Sequence, residues 1–284
     1  MKLLSPAKVN LCLRVSGKRK DGYHEIQTIF ERISLCDRIQ LRAAPSGIQL
    51  ESDSKEIPLG PENLAYKAAR LLKERFKVSR GVVIRLQKNI PVSAGLGGGS
   101  SNAAAVLWGL NRLWRLGLSQ KKLLKLGAEL GSDVPFFVLD TSFALGLGRG
   151  EILRKIPAPG VRLWHCVVKP PFGISTKEAY NDLRPLGLTP KKTDVKILLQ
   201  SIQKGSSRGI GKLLINSLEV SVNKRVKVIH RIKKSLLGHG ALGALMSGSG
   251  SAVFGLFDSK KAAGHAARAL KKNKRWRVFV VSTY

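Results

Sequence analysis

Residues Asn89–Asn102 read N-I-P-V-S-A-G-L-G-G-G-S-S-N. The stretch follows a β-branched segment, Val82–Leu86, and runs into Ser100–Leu116, where Ala103–Leu107, Leu110 and Leu113 recur at helical spacing. A strand, a glycine loop and a helix are therefore expected in succession. Four glycines within five residues (Gly95, Gly97, Gly98 and Gly99) cost chain entropy. They also allow φ > 0 and let backbone N–H groups approach a ligand with no Cβ in the way. The N-terminus of the following helix adds unpaired N–H groups and the positive end of a dipole, which favour an anion such as a phosphate chain. Ser100 and Ser101 contribute hydroxyls that can cap the helix or touch phosphate or magnesium. The loop has no G-K-[ST] of a Walker A motif and lacks the third glycine of a dinucleotide fingerprint.

Outward from the loop, Val9–Val15 and Arg38–Arg42 alternate apolar and polar residues as strands do. Glu62–Phe76 carries Leu64, Ala68, Leu71, Leu72 and Phe76 at helical spacing, and Ser119 is placed to cap a helix with Leu123, Leu124 and Leu126 on one face. Gly146, Gly148 and Gly150 signal a hairpin or turn. Pro157, Pro159 and Gly160 suggest a boundary near residue 155, giving lobes 1–155 and 156–284. The second half reads as strand (Val161–Val168), helices (Ser175–Leu183 and Asp194–Gln203), a basic helix (Asn223–Leu237), strand (Ala252–Phe257), helix (Lys260–Leu270) and strand (Trp276–Val281). There is no internal repeat, and the expected class is α+β.

Of the 284 residues, 50 are Lys or Arg and 18 are Asp or Glu, a formal net charge of +32. Such a field attracts polyanions and says nothing about fold. Zinc-finger spacing, an RNP-type aromatic pattern and a basic region with heptads are all missing, so no nucleic-acid partner is expected. Cys12, Cys36 and Cys166 are few, odd in number and far apart, which suits reduced thiols. No h-region opens the chain and no apolar run approaches the ~18–20 residues of a membrane span, so a cytoplasmic location without a membrane is expected.

Pro91-x-x-x-Gly95-Leu96-Gly97-Gly98-Gly99-Ser100-Ser101-Asn102 resembles the phosphate-binding motif of the GHMP kinases. Pro6-Ala7-Lys8-Val9-Asn10 is similar to that superfamily's first motif, and Ser247-Gly248-Ser249-Gly250 to its third. Asp21-Gly22-Tyr23-His24, Gly131–Phe137 (G-S-D-V-P-F-F) and Gly148-Arg149-Gly150-Glu151 resemble the diphosphocytidyl-methylerythritol kinases in particular. The resemblance implies a two-lobe GHMP kinase fold, with an N-terminal lobe like domain 2 of ribosomal protein S5 and a ferredoxin-like C-terminal lobe. It also implies ATP and Mg2+ as cofactors and a small-molecule partner, a cytidine diphosphate-linked methylerythritol.

In that family Asp133 matches the catalytic base and Lys8 the lysine that balances charge on the transferring phosphoryl group. A carboxylate near a triphosphate needs a cationic neighbour to stay ionised, a part Lys8 can play. Lys8 and Asn10 are two apart on a strand, hence on one face, so Asn10 can orient the substrate or Asp133. Pro91, Gly95–Asn102 and Ala103 match the ATP loop, and Asn63 matches a position near the ATP nucleoside, where a helix cap is the structural alternative. Tyr23 and His24 match the cytidine-binding pair, and Tyr180 takes the place of an aromatic residue that stacks on the cytosine. Ser101 is the one candidate magnesium ligand, and no matching glutamate is assigned. A monomer or weak homodimer is expected. The alternatives are a GHMP kinase for another acceptor, which has no use for D-G-Y-H, and a basic nucleic-acid-binding protein, which would bind RNA without turning over ATP.

Overall fold

In the computed structural model, residues 1–181, 194–221 and 226–284 are described. In chain order the elements are β1 (Lys2–Lys18), β2 (His24–Ala44), β3 (Ile48–Ser52), α1 (Leu64–Arg75), β4 (Gly81–Gln87), α2 (Gly98–Leu113), α3 (Gln120–Leu130), α4 (Val134–Leu139), β5 (Phe143–Leu147) and β6 (Ile152–Lys155). They continue with β7 (Trp164–Lys169), α5 (Thr176–Asn181), α6 (Val195–Gln203), α7 (Ser207–Leu213), β8 (Ile215–Asn216), a 3-10 turn (Ser217–Ser221), α8 (Val226–Gly238), β9 (Gly243–Met246), β10 (Val253–Phe257), α9 (Lys260–Leu270) and β11 (Arg277–Ser282). The chain is α+β, as its pattern implies. It forms two compact units, each assembled from three stretches.

The first unit comprises Met1–Ala7, Leu35–Val92 and Gly97–Thr141. Here β3 runs parallel to β4, from Ile48 beside Val82 to Ser52 beside Leu86. Strand β4 pairs antiparallel with the second half of β2, from Arg38 beside Gln87 to Ala44 beside Gly81. Ile39, Leu41, Val82, Ile84 and Leu86 are buried, while Arg38, Gln40, Arg42, Arg85 and Gln87 alternate with them and face water. Helix α1 packs against α2, which buries Ala103, Val106, Leu107 and Leu110. Ser119 caps α3 by accepting from the Lys122 N–H.

The second unit comprises Lys8–Ser34, Ser93–Leu96 and Ser142–Tyr284. The first half of β2 pairs antiparallel with β5, Thr28 beside Gly146, and β5 turns back into β6 through the expected glycine hairpin. Cys12 of β1 lies beside Ile215 of β8 in parallel register. A separate antiparallel sheet has the order β11-β7-β10-β9. With α8 preceding β9, and α9 joining β10 to β11, this is a β-α-β-β-α-β arrangement with extra elements inserted after β7. Val168, Val253 and Phe257 from its strands pack with Ile232, Leu236, Ala263 and Ala267 from the two helices.

Most expected elements are found, and their differences from the sequence reading have local causes. The strand expected over Val161–Val168 begins at Trp164, because the Val161 N–H bonds back to Ala158 and the Leu163 N–H is taken by the Thr283 hydroxyl. Asp194 caps α6, which ends at Gln203 as expected, and α9 has the expected bounds. The far end of the Ser175–Leu183 helix and the start of the basic helix lie outside the described residues. The three cysteines are free thiols, and burial pushes Cys12 and Cys166 up to about 12, which keeps them protonated and unreactive.

One buried charge organises the first unit. Asp37 has no solvent exposure and shares a strand face with Ile39 and Leu41. Its carboxylate accepts from the Asn89 and Ile90 N–H groups, both at 2.8 Å, and from Asn102 Nδ2 at 2.9 Å, and it pairs with the Lys88 ammonium. It thereby joins the strand before the glycine loop to the first turn of α2. Asp37→Ala would leave a buried lysine and two backbone donors without their acceptor, and is expected to cost about 3–5 kcal/mol, read from urea unfolding midpoints.

Candidate active site

Within the second unit, the middle of β1 is buried on both faces, and Lys8 and Asn10 sit there 3% and 2% exposed. An ammonium so placed needs oxygen partners. Lys8 Nζ donates to Asn10 Oδ1 at 2.7 Å and lies 5.6 Å from the centroid of the Phe30 ring. Asn10 Nδ2 donates in turn to Thr28 Oγ1 at 2.8 Å. The main chain of Lys8 is tied to the glycine loop, its N–H donating to the Leu96 carbonyl at 2.9 Å.

The third glycine motif meets these residues. Ser247 Oγ donates to the Gly95 carbonyl at 2.9 Å, and the Ala252 N–H donates to the Ala94 carbonyl at 3.0 Å. Gly95 has φ +73°, and a Cβ there would lie 2.0 Å from the Ser247 carbonyl oxygen. A Cβ on Gly248 would lie 3.1 Å from the Gly95 oxygen, 3.2 Å from Lys8 Nζ and 3.4 Å from Asn10 Oδ1. Asn216 fixes this turn by donating from Nδ2 to the Met246 carbonyl at 2.9 Å and the Gly248 carbonyl at 2.8 Å. Three sequence motifs, from residue 8 to residue 252, are thus gathered at one place in this unit.

The rest of the loop belongs to the first unit. Gly97 is left-handed (φ 68°) and stands at the N-cap of α2, with no side chain capping the helix. Of the four loop glycines only Gly95 and Gly97 use positive φ, since Gly98 and Gly99 already form the first helical turn. A 16-residue helix whose first turn lacks a side-chain cap presents N–H groups and a positive dipole end to an anion. Ser100 is half-buried at this end, while Pro91, Ser101, Asn102 and Ala103 are buried. The Ser101 hydroxyl accepts from Ser5 Oγ at 2.7 Å, and Asn102 bonds Ser5 and Asp37. These two side chains brace the loop from beneath. Asn63 caps α1, with Oδ1 accepting from the Ala65 N–H at 2.9 Å and Nδ2 donating to the Pro58 carbonyl at 2.8 Å. Asp133 holds the N-cap position of the short, fully buried α4, but its carboxylate makes no capping hydrogen bond.

Back in the second unit, His24 and Tyr180 are far apart in sequence and stack at 5.1 Å with 30° between the rings. Tyr23 is half exposed, and the Arg149 guanidinium lies 4.7 Å from its ring centroid. Partial burial, helped by Lys18, lowers the pKa of His24 below 6.5, so its imidazole is neutral at pH 7. The sequence reading left out Thr28, Asp37, Lys88 and Asn216. They lie outside the motifs, and their importance rests on hydrogen bonds to residues distant in the chain. Among the described residues no three His, Cys, Asp or Glu cluster as metal ligands, and Ser101 is turned toward Ser5, so these residues do not make a magnesium cage.

Known proteins resemble this chain over its full length. Residues 63–141 match the GHMP kinases N terminal domain and residues 198–275 the GHMP kinases C terminal family. A 4-diphosphocytidyl-2-C-methyl-D-erythritol kinase from Pelotomaculum thermopropionicum is 44% identical over 283 residues, covering 99% of this chain and 97% of the relative. The crystal structure of a 4-(cytidine 5'-diphospho)-2C-methyl-D-erythritol kinase superposes with a TM-score of 0.84 at 37% identity, covering all of both chains. A homoserine kinase from Cytophaga hutchinsonii shares the fold at 22% identity, with a TM-score of 0.77 and coverage of 100% and 94%. The chain belongs to the GHMP kinases and, within them, to the 4-diphosphocytidyl-2-C-methyl-D-erythritol kinase family.

The close approach at Gly95 is directly testable. Gly95→Ala must hold a Cβ at positive φ against a backbone oxygen, and is expected to lose at least about 1–3 kcal/mol. Gly99→Ala places its Cβ 3.6 Å from Leu64 Cδ1 in a helical turn, and should be neutral or stabilising by up to about 1 kcal/mol. Urea midpoints of the two variants, measured side by side, give the contrast.

Proposed function

We propose that this chain transfers the γ-phosphoryl group of ATP to the 2-hydroxyl of 4-diphosphocytidyl-2-C-methyl-D-erythritol. The observation that carries the choice of acceptor is the His24–Tyr180 pair in the same unit as Lys8. A neutral imidazole can hydrogen-bond the cytosine edge, and the tyrosine face can stack on the base. Homologous full-length kinases with this acceptor in their names support the same reading.

In this reaction Asp133 takes the proton from the 2-hydroxyl as that oxygen attacks the γ-phosphorus. The bond between the γ-phosphorus and the β–γ bridging oxygen breaks, and the electron pair leaves with ADP. Little covalent chemistry is asked of the protein, so positioning and charge dominate. Lys8 offsets negative charge on the phosphoryl group being transferred. Gly95–Gly99 and the first turn of α2 receive the phosphate chain on backbone N–H groups. Arg149, Tyr23 and His24 hold the cytidylyl end. Magnesium bound with ATP would offset charge on the phosphates, and no side chain is assigned to it.

Coupled ATP turnover with 4-diphosphocytidyl-2-C-methyl-D-erythritol tests the reading. The wild type should turn over, and Asp133→Ala should lose about 10²- to 10⁴-fold in kcat, with ATP binding and fold intact. An inactive wild type sinks the acceptor, whereas a fully active Asp133→Ala sinks the base.

The pH dependence of the cytidylyl end follows from His24. A lowered pKa keeps the ring neutral through pH 7, and protonation sets in only below the ordinary value of 6.5. The KM for the cytidylyl substrate should therefore stay flat through neutral pH and rise on acidification, while the KM for ATP does not follow it.

A further inference from the structure

The hydrogen bonds leading away from Lys8 form a chain with only one possible polarity. At one end the Lys8 ammonium can only donate, so the Asn10 atom 2.7 Å away must be the carbonyl oxygen Oδ1. At the other end the Cys12 carbonyl can only accept, so the Thr28 hydroxyl, 2.7 Å away, must spend its single proton there. Thr28 Oγ1 is then available to Asn10 only as an acceptor, and Asn10 Nδ2 donates to it at 2.8 Å. The two middle members could each turn either way in isolation. Anchored at both ends, they have one consistent arrangement.

All of these side chains are shielded from water. Thr28 is fully buried, and Asn10 and Lys8 are nearly so, so water does not readily replace a missing partner. Thr28 sits on β2 opposite Gly146, where a Cβ on the glycine would lie 3.0 Å from Thr28 Cγ2. The glycine therefore leaves the room that the threonine methyl needs. Within two bonds of this chain, Lys8 Nζ faces Gly248 of the third motif.

From this we infer that Thr28 is a positioning residue for phosphoryl transfer, setting the amide of Asn10 so that its oxygen, not its nitrogen, faces Lys8. The inference rests on the kinase reading and on the role given there to Lys8. Without the Thr28 hydroxyl, Asn10 Nδ2 loses its acceptor and its amide is released about a broad, roughly two-fold torsion. Lys8 then meets an N–H group for part of the time and loses the oxygen that Asn10 gives it, which shifts its ammonium. Misplacement of about an ångström is enough to lower the rate by orders of magnitude. The substrates themselves need not bind more weakly.

Steady-state kinetics on Thr28→Val, Thr28→Ser and Asn10→Ala, and on the Thr28→Val/Asn10→Ala double variant, test this. Valine keeps the shape and removes the hydroxyl, whereas serine keeps the hydroxyl. Thr28→Val is expected to lose about 10- to 100-fold in kcat, with both KM values within about twofold, and Thr28→Ser to recover most of the loss. In the Asn10→Ala background, Thr28→Val should cost almost nothing more, because the group it acts through is gone. Full kcat in Thr28→Val, an equal loss in Thr28→Ser, or the same additional loss on top of Asn10→Ala would each overturn the inference. An inactive wild type would instead defeat the kinase reading, so the two failures are told apart. Thermal unfolding of each variant separates loss of fold from loss of rate, and a folded Thr28→Val with unchanged KM is the informative protein.

Discussion

Everything at the centre of the second unit depends on two stretches of main chain coming closer than any side chain allows. Gly95 and the Ser247–Gly250 turn meet backbone to backbone, and a single Cβ at Gly95 would fall 2.0 Å from a carbonyl oxygen. Hydrogen bonds from Ser247 Oγ and the Ala252 N–H seal the approach, and Lys8 is drawn in through its own N–H to Leu96. Once these segments are joined, Lys8 Nζ has a defined place beside Gly248. At this end of the loop the glycine is required by packing alone.

Lys88 and Lys8 both have shielded side chains, and each has its own solution. Lys88 is matched by a full carboxylate, Asp37, which also gathers three N–H donors and locks the strand before the loop to α2. Lys8 has a neutral amide as its neighbour on β1. An ammonium matched by a carboxylate is already satisfied and serves structure.

How much could be read from the sequence follows from what each segment's pattern encodes. Helices with a cap and one apolar stripe were legible, such as α9 behind Ser259 and α6 behind Asp194. Strand β1 is buried without a break from Ser5 to Leu13, so alternation marks only part of it. Helix α4 reads V-P-F-F-V-L, an apolar run with no helical period, and β9 is four residues long. The glycine loop, Lys8, Asn10, Tyr23 and His24 are visible through motifs and Tyr180 through a looser resemblance, whereas the stacking of Tyr180 on His24 is not visible. Thr28, Asp37 and Asn216 are not visible either, because their importance lies in hydrogen bonds to residues distant in the chain, which no local pattern carries.

The alternation of the first unit's sheet has a further consequence. Arg38, Gln40, Arg42 and Arg85 occupy the face turned to water, while Ile39, Leu41, Ile84 and Leu86 hold the core from the opposite face. Substitutions on the wet face leave the packed one untouched. The three arginines on that face can therefore be exchanged for neutral residues, lowering the +32 charge without loosening the core. The charge of this sheet and its packing are set by alternate residues of one backbone and can be adjusted independently.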